Sequence, residues 1–229
     1  MGLETIVPIG IIFGIVLSLI DFFTEGKFTQ VKSGYVSYAT GVAAAYLFLW
    51  LFPSIYSGIK PETADLMLGA ILLGFVIHHF IERYTFKHVS KGQMGKDVSL
   101  EHAIFTFVYH FIIGIVLINI FTSGFLQGLL YFIPIALYIS IDNLPRRKIF
   151  DSTIVRLFFS AATLLGAVFG YYVQETALVS NVLLGFIVGI LMYFFSREAF
   201  PGQKQGSNLL LLLGIIIYAA AIILSKTLL

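Results

Sequence analysis

One stretch of the chain decides its fold class: Glu101–Phe121, which reads EHAIFTFVYHFIIGIVLINIF. Its 21 residues are almost all apolar, and about 20 such residues are what a helix needs to cross the hydrocarbon core of a bilayer. The stretch also carries His110 near its middle, where an ionisable side chain is costly and by default marks a function. The sequence therefore predicts a membrane-spanning helix that carries chemistry.

The composition of the whole chain supports this interpretation. Of 229 residues, 59% are hydrophobic and only 11% are charged, against about 25% charged residues in an average soluble domain. A soluble globular enzyme and a disordered chain are both excluded, because the first would expose large apolar patches and the second needs few apolar residues. With no cysteine and a net charge of +2, we also exclude disulfides, thiolate metal sites and a nucleic-acid partner.

Seven further stretches have the same character, and short segments rich in Gly, Pro, Ser and charge separate them. They are continuously apolar and do not alternate in the way that strands of a membrane barrel do. We predict an all-α, polytopic membrane protein with one transmembrane domain, residues 1–229, embedded in the lipid bilayer. The eight predicted spans are Thr5–Phe23, Ser37–Tyr56, Leu66–Tyr84, Glu101–Phe121, Phe125–Ile141, Thr153–Val173, Leu178–Phe195 and Leu209–Leu224.

Basic residues predict the orientation, because cytoplasmic loops of membrane proteins are enriched in Lys and Arg. Only Lys60 and Lys226 fall on the side of the two termini. The other twelve of the 14 Lys and Arg fall on the opposite side, which predicts that both termini are extracytoplasmic. This bias, the small size and the short loops indicate a prokaryotic inner (plasma) membrane. The twelve are Lys27, Lys32, Arg83, Lys87, Lys91, Lys96, Arg146, Arg147, Lys148, Arg156, Arg197 and Lys204.

Ionisable residues concentrate toward the predicted cytoplasmic side. In span three, His78 and His79 precede Glu82 by four and three residues, so that either pair shares one helix face and can bind a divalent metal. The alternative is that Glu82 pairs with Arg83 or a loop lysine and that the histidines are interfacial. Asp21, Arg197 and Glu198 end other spans on this side.

Span four adds Glu101 and His102 at its inner end and His110 near the bilayer centre. Together with Thr106 and Tyr109 the two histidines predict one wide polar stripe, although His102 can equally be an interfacial residue. Asp142 and Asn143 end span five, where Asp142 can also be a charge partner of the basic run that follows.

Several segments together resemble the ZIP family of divalent metal transporters. The small-residue stretch from Ala39 to Pro53 resembles the family's span two, and Gly74-Phe75 with Glu82-Arg83 resembles the end of its span three. Gly189 through Pro201 resembles the end of span seven. The resemblance implies a ZIP-like bundle of eight helices with a metal site between spans four and five.

The metal-binding spans depart from the family's pattern. Span four of the family carries His-Asn-x-x-acid-Gly, where this chain has Tyr109-His110-Phe-Ile-Ile-Gly114. Span five of the family carries His-Glu-x-x-His-Glu, where this chain has Tyr138-Ile-Ser-Ile-Asp142-Asn143. His110, Asp142 and Asn143 alone keep ligand chemistry at matching positions, which implies an altered metal site.

Two functions follow as hypotheses. The first is a permease for Zn²⁺, Fe²⁺ or Mn²⁺ as transported substrate, with His110, Asp142 and Asn143 as core ligands. An inner exit or proton relay would then comprise His78, His79, Glu82, Glu101 and His102. The second keeps the fold without metal transport, so that the chain moves a small organic or lipid-like solute or acts as a regulator. An intramembrane hydrolase has weaker support, and no enzymatic motif is present. The Gly185-x-x-x-Gly189 motif permits close helix packing and, with the resemblance, allows a homodimer.

Overall fold

A computed structural model describes residues 3–24, 33–58, 61–89, 96–141, 152–173, 176–199 and 206–228. All regular structure within these ranges is helical, as the sequence predicts. A π-helical turn, Leu47–Leu51, continues α2 into α3, and a 3₁₀ turn, Pro61–Thr63, precedes α4. The helices are α1 Leu3–Thr24, α2 Ser33–Tyr46, α3 Phe52–Gly58, α4 Ala64–Val89, α5 Lys96–Ser123, α6 Phe125–Ile141, α7 Thr153–Ser160, α8 Ala162–Tyr172, α9 Ala177–Ala199 and α10 Asn208–Leu228.

Five helical segments in the described ranges are long and apolar enough to cross a membrane: Ser33–Ser57, Ala64–Tyr84, Leu100–Ser123, Leu178–Arg197 and Asn208–Thr227. A sixth span results if α7 and α8, which are bent by 47° relative to each other, cross as one. Ile9–Thr24 and Phe125–Ile141 are apolar but shorter. The long apolar helices indicate a multi-pass membrane protein, and every stretch predicted to span is helical.

Glycines bring three helix pairs into backbone contact. A Cβ added at Gly41 of α2 would lie 2.1 Å from the Leu211 carbonyl oxygen of α10, and one at Gly214 would lie 2.3 Å from the Tyr38 carbonyl oxygen. Small residues permit this close approach, which stabilises helix pairs in lipid through van der Waals contact. The same reciprocal arrangement joins α5 to α8 through Gly114 and Gly166, and α4 to α9 through Gly74 and Gly189.

The register of these contacts gives the helix directions. Ser37 Oγ accepts a hydrogen bond from the Ser207 amide, and the Leu49 carbonyl at the other end of the same segment accepts one from Lys226. The segment α2–α3 and α10 are therefore parallel. Gly185 of α9 packs on Met67 of α4 and Gly189 packs on Ile71, one turn further along both helices, so that α4 and α9 are parallel too. The GxxxG motif of α9 thus packs against α4 of the same chain.

Two backbone carbonyls next to irregular points of helices accept hydrogen bonds from α10. Pro134 inside α6 has no N–H for the carbonyl four residues earlier, which is that of Leu130, and the Leu49 carbonyl lies in the π-helical turn before Pro53. Tyr218 Oη donates to the Leu130 carbonyl oxygen at 2.6 Å, and Lys226 Nζ donates to the Leu49 carbonyl oxygen at 3.2 Å. Side chains of a neighbouring helix thereby satisfy backbone groups that lipid cannot satisfy.

Candidate functional site

A buried carboxylate and a buried imidazole meet between α1 and α5. Asp21 lies in the last turn of α1 and His110 lies near the middle of α5, and both side chains are fully buried. His110 Nδ1 lies 3.8 Å from Asp21 Oδ1. The two helices run antiparallel, since Gly10 near the other end of α1 packs against Ile118 and Phe121 of α5. This antiparallel register brings Asp21 to the level of His110.

A second buried pair lies on α4. His78 and Glu82 are one turn apart, with His78 Nε2 at 4.0 Å from Glu82 Oε1. Glu82 also forms an ion pair with Arg197 of α9 and accepts a hydrogen bond of 3.0 Å from Tyr193 Oη. The parallel packing of α4 and α9 places these α9 side chains beside Glu82. The alternative prediction paired Glu82 with Arg83 or a loop lysine, whereas the structure pairs it with Arg197.

Aromatic rings surround His78. Four rings have their centroids between 5.1 and 6.4 Å from the centroid of its imidazole, and they come from α5, α6 and α9. Its Nδ1 is buried without a hydrogen-bond partner among the described residues. This imidazole therefore lies in a cage of aromatic rings, with the Glu82 carboxylate on one side. The four rings belong to Phe105, Tyr109, Tyr138 and Tyr193.

Tyr109 joins the two buried pairs into one layer. Its ring centroid lies 5.8 Å from that of His78 and 4.6 Å from that of His110. Tyr138 of α6 contacts both His78 and Tyr109, with centroids 6.4 and 6.2 Å away. Polar groups from α1, α4, α5, α6 and α9 thus occupy one level of the helix bundle.

Other predicted site residues lie elsewhere. His79 is half-buried and packs on the Phe80 and Tyr193 rings. Glu101 and His102 line a separate cleft between α4 and α5. Asp142 and Asn143 lie outside the described residues. The predicted stripe on α5 is present in part: Thr106, Tyr109 and His110 are buried, and His102 is half-buried.

Asp21 belongs to the site, although it was not among the residues predicted from the sequence to bind metal. One feature of the sequence does mark this residue: Asp21 is the single ionisable residue between Thr5 and Phe23. An uncompensated carboxylate in such a run needs a partner from another helix.

Two ligands of one small cation can come from the Asp21–His110 pair. Zn²⁺ binds imidazole nitrogen and carboxylate oxygen at about 2.0–2.2 Å, so that two ligands at a tetrahedral angle are roughly 3.3–3.5 Å apart. The observed 3.8 Å needs only a small adjustment. Within the described ranges no three His, Asp or Glu side chains come together as metal ligands.

Comparison with known proteins adds no relative. The chain matches no protein-family model, and no curated protein sequence matches it. The buried polar layer is therefore the observation from which a function has to be argued.

Proposed function

We propose that the chain is a multi-pass membrane permease that carries a divalent transition-metal cation, Zn²⁺, Fe²⁺ or Mn²⁺, through a ZIP-like helix bundle. One observation carries this proposal: Asp21 and His110 meet with both side chains fully buried. Burying ionisable groups at membrane depth costs roughly 2.5–3.5 kcal/mol for a charged side chain. Binding of a transported cation between the two side chains would explain why both are buried together.

The ligand types favour transition metals. Imidazole together with carboxylate suits Zn²⁺, Fe²⁺ and Mn²⁺, whereas Ca²⁺ takes six to eight oxygen ligands. We propose that Asp142 and Asn143, which follow Ile141 at the end of α6, contribute further oxygen ligands, as the resemblance implies. The cation would then have four ligands, Asp21, His110, Asp142 and Asn143, which is the number that Zn²⁺ takes in a tetrahedral site.

The proposed membrane topology has eight spans, with both termini outside the cytoplasm of a prokaryotic cell. Two observations support it. The basic residues are strongly one-sided, and the neighbouring helices run in directions that fit a chain passing back and forth: α1 is antiparallel to α5, and α4 is parallel to α9. In this topology both buried pairs lie in the cytoplasmic half of the membrane.

An exit path toward the cytoplasm would pass the second pair. Tyr109 connects the Asp21–His110 centre to His78, and His79 adjoins His78. Glu82 is one turn further toward the end of the bundle at which α5 begins, where Glu101 and His102 lie. We propose that this path also serves as a proton relay.

Metal titration of the purified protein tests the centre. We expect Zn²⁺, Mn²⁺ or Fe²⁺ to bind with a stoichiometry of one at this site, and His110→Ala and Asp21→Asn each to weaken binding about a hundredfold, since even outer-shell changes cost 10–100-fold. Asp65→Asn is the matched control for Asp21→Asn, because Asp65 is an exposed carboxylate in the first turn of α4 and lies outside the proposed path, so that the variant should bind as wild type does. A His110→Ala protein with unchanged affinity contradicts the proposal, as does a wild type that binds none of the three metals.

A specific feature favours the second candidate, a permease or regulator for a small organic or lipid-like molecule. A cleft of about 390 Å³ between α1, α2 and α6 is lined mainly by apolar side chains. Its polar edge is the hydrogen bond between Tyr35 Oη and Ser140 Oγ, 2.8 Å long. Uptake of a lipophilic solute that persists in His110→Ala without added metal would support this candidate over metal transport.

A further inference from the structure

Another cleft in the described part of the chain lies where α4 and the beginning of α5 diverge. It has a volume of about 540 Å³ and contains none of the residues of the Asp21–His110 centre. Phe80, Arg83, Tyr84 and Lys87 follow one another at intervals of three, one and three residues, which places them on one face of α4. His78 and Glu82 face the bundle interior instead. Seven residues line the cleft: Phe80, Ile81, Arg83, Tyr84, Lys87, Glu101 and His102.

The polarity of this face changes along the helix. Phe80, whose side chain is 61% exposed, lies toward the bilayer interior, and Lys87 lies about 10 Å further along the axis, at 1.5 Å per residue. Arg83 and Lys87 are exposed and are one turn apart. The cleft thus offers an apolar wall at depth and cationic groups at the level of the headgroups.

We infer that this cleft is a binding site for one anionic phospholipid with a hydroxylated headgroup, of the phosphatidylglycerol type. The acyl chain would lie against Phe80 and Ile81, and the phosphate would accept hydrogen bonds from Arg83 and Lys87. Basic pockets between helices on the cytoplasmic side are the sites where membrane proteins hold anionic lipids. This inference does not depend on the transported substrate.

The opposite wall narrows the choice of headgroup. Glu101 of α5 is an acceptor at the mouth of the cleft, and His102 beside it is half-buried. A carboxylate repels a second phosphate but accepts hydrogen bonds from the glycerol hydroxyls of phosphatidylglycerol. Arg83 and Lys87 on one wall and Glu101 on the other therefore complement a headgroup that has one phosphate and free hydroxyl groups.

Lipid binding to the detergent-purified full chain tests the inference. Native mass spectrometry and thermal stabilisation would be recorded with phosphatidylglycerol, phosphatidylcholine, phosphatidylethanolamine and inorganic phosphate as separate probes. We expect selective retention of one phosphatidylglycerol, and Arg83→Gln/Lys87→Gln should weaken its binding roughly thirtyfold, about fivefold for each charge. The charge-preserving Arg83→Lys/Lys87→Arg should retain most of the affinity.

The matched control removes two other basic residues from the predicted cytoplasmic side, Arg156→Gln/Lys204→Gln, and should bind phosphatidylglycerol as wild type does. Equal loss in this control would show a general charge effect and overturn the site. The inference is also overturned if Arg83→Gln/Lys87→Gln binds as wild type, if inorganic phosphate displaces the lipid, or if phosphatidylethanolamine or phosphatidylcholine binds equally well. Metal titration of the same variants should be unchanged, which keeps this test separate from that of the proposed permease.

Discussion

Glu82 shows how single residues make a charged group tolerable at membrane depth. Its carboxylate is nearly buried, pairs with Arg197 and accepts the hydroxyl hydrogen of Tyr193. Breaking a buried ion pair on one side is strongly destabilising because it leaves an uncompensated charge, whereas removing both partners is often tolerated. The pair therefore links α4 to α9 by an interaction whose strength can be measured.

We expect Glu82→Gln to lower the free energy of unfolding by about 3 kcal/mol, at the low end of the range for buried pairs, because the Arg197 side chain retains 25% exposure. Arg197→Gln should have a similar effect, and the double variant should lose clearly less than the sum. Denaturation of the three purified variants in detergent gives the coupling energy. Strictly additive losses would mean that the pair contributes no coupling.

At the scale of whole helices, α6 tolerates Pro134 because α10 supplies a donor. Tyr218→Phe removes the hydroxyl that donates to the Leu130 carbonyl and should cost about 1–3 kcal/mol, the penalty of leaving a buried acceptor unsatisfied. Tyr56, which is 83% exposed, provides the control, since Tyr56→Phe should change stability by less than about 0.5 kcal/mol. Thermal unfolding in detergent measures both.

A second-site change makes this prediction sharper. Pro134→Ala restores an N–H that can bond the Leu130 carbonyl within the helix. Tyr218→Phe should therefore be much less harmful in a Pro134→Ala background than in wild type. If Tyr218→Phe is equally destabilising in both, the hydroxyl acts through packing and not by replacing the proline's missing donor.

Packing of α4 on α9 depends on Gly74, and Gly69 on the same helix provides a control. A Cβ at Gly74 would lie 2.1 Å from the Phe186 carbonyl oxygen, whereas one at Gly69 would meet nothing within 4 Å. We expect Gly74→Ala to destabilise by roughly 1–3 kcal/mol through overpacking. Gly69→Ala should be neutral or stabilise by up to about 1 kcal/mol, because Ala is the better helix former. Similar effects at both positions would contradict the contact.

At the scale of the whole molecule, the proposed topology can be tested because the sequence contains no cysteine. Ser57 and Ser152 are both exposed, and the eight-span topology puts them on opposite sides of the membrane. In intact bacterial cells, a membrane-impermeant maleimide should label Ser57→Cys directly and Ser152→Cys only after permeabilisation. Labelling of both from outside, or of neither, would contradict eight spans with external termini.

Much of this fold could be predicted from sequence, because a continuous apolar run in lipid satisfies its own backbone only as a helix. The predicted and observed beginnings of α6 coincide at Phe125. The break between α7 and α8 at Ala161 was not predicted, since neither Gly nor Pro marks it. Its amide is bonded to the Leu157 and Phe158 carbonyls, in a turn that closes α7.

The candidate site was predicted only in part. His78 with Glu82 follows from spacing along one helix, which a sequence displays directly. The pairing of His110 with Asp21 depends on which helices become neighbours and at what register, and these are set by glycine contacts between segments distant in sequence. The ligand roles of Asp142 and Asn143 stay predictions.

The two substitute donors on α10 bear on how the protein is made. Helices enter the membrane in the order of synthesis, and α10 is the last of the described helices to leave the ribosome. Until α10 is inserted, the carbonyls of Leu49 and Leu130 lack the donors that it supplies. Gly41 of α2 then also lacks the α10 backbone against which it packs. Assembly of the earlier helices is therefore incomplete until α10 docks and its side chains donate hydrogen bonds to these two carbonyl groups.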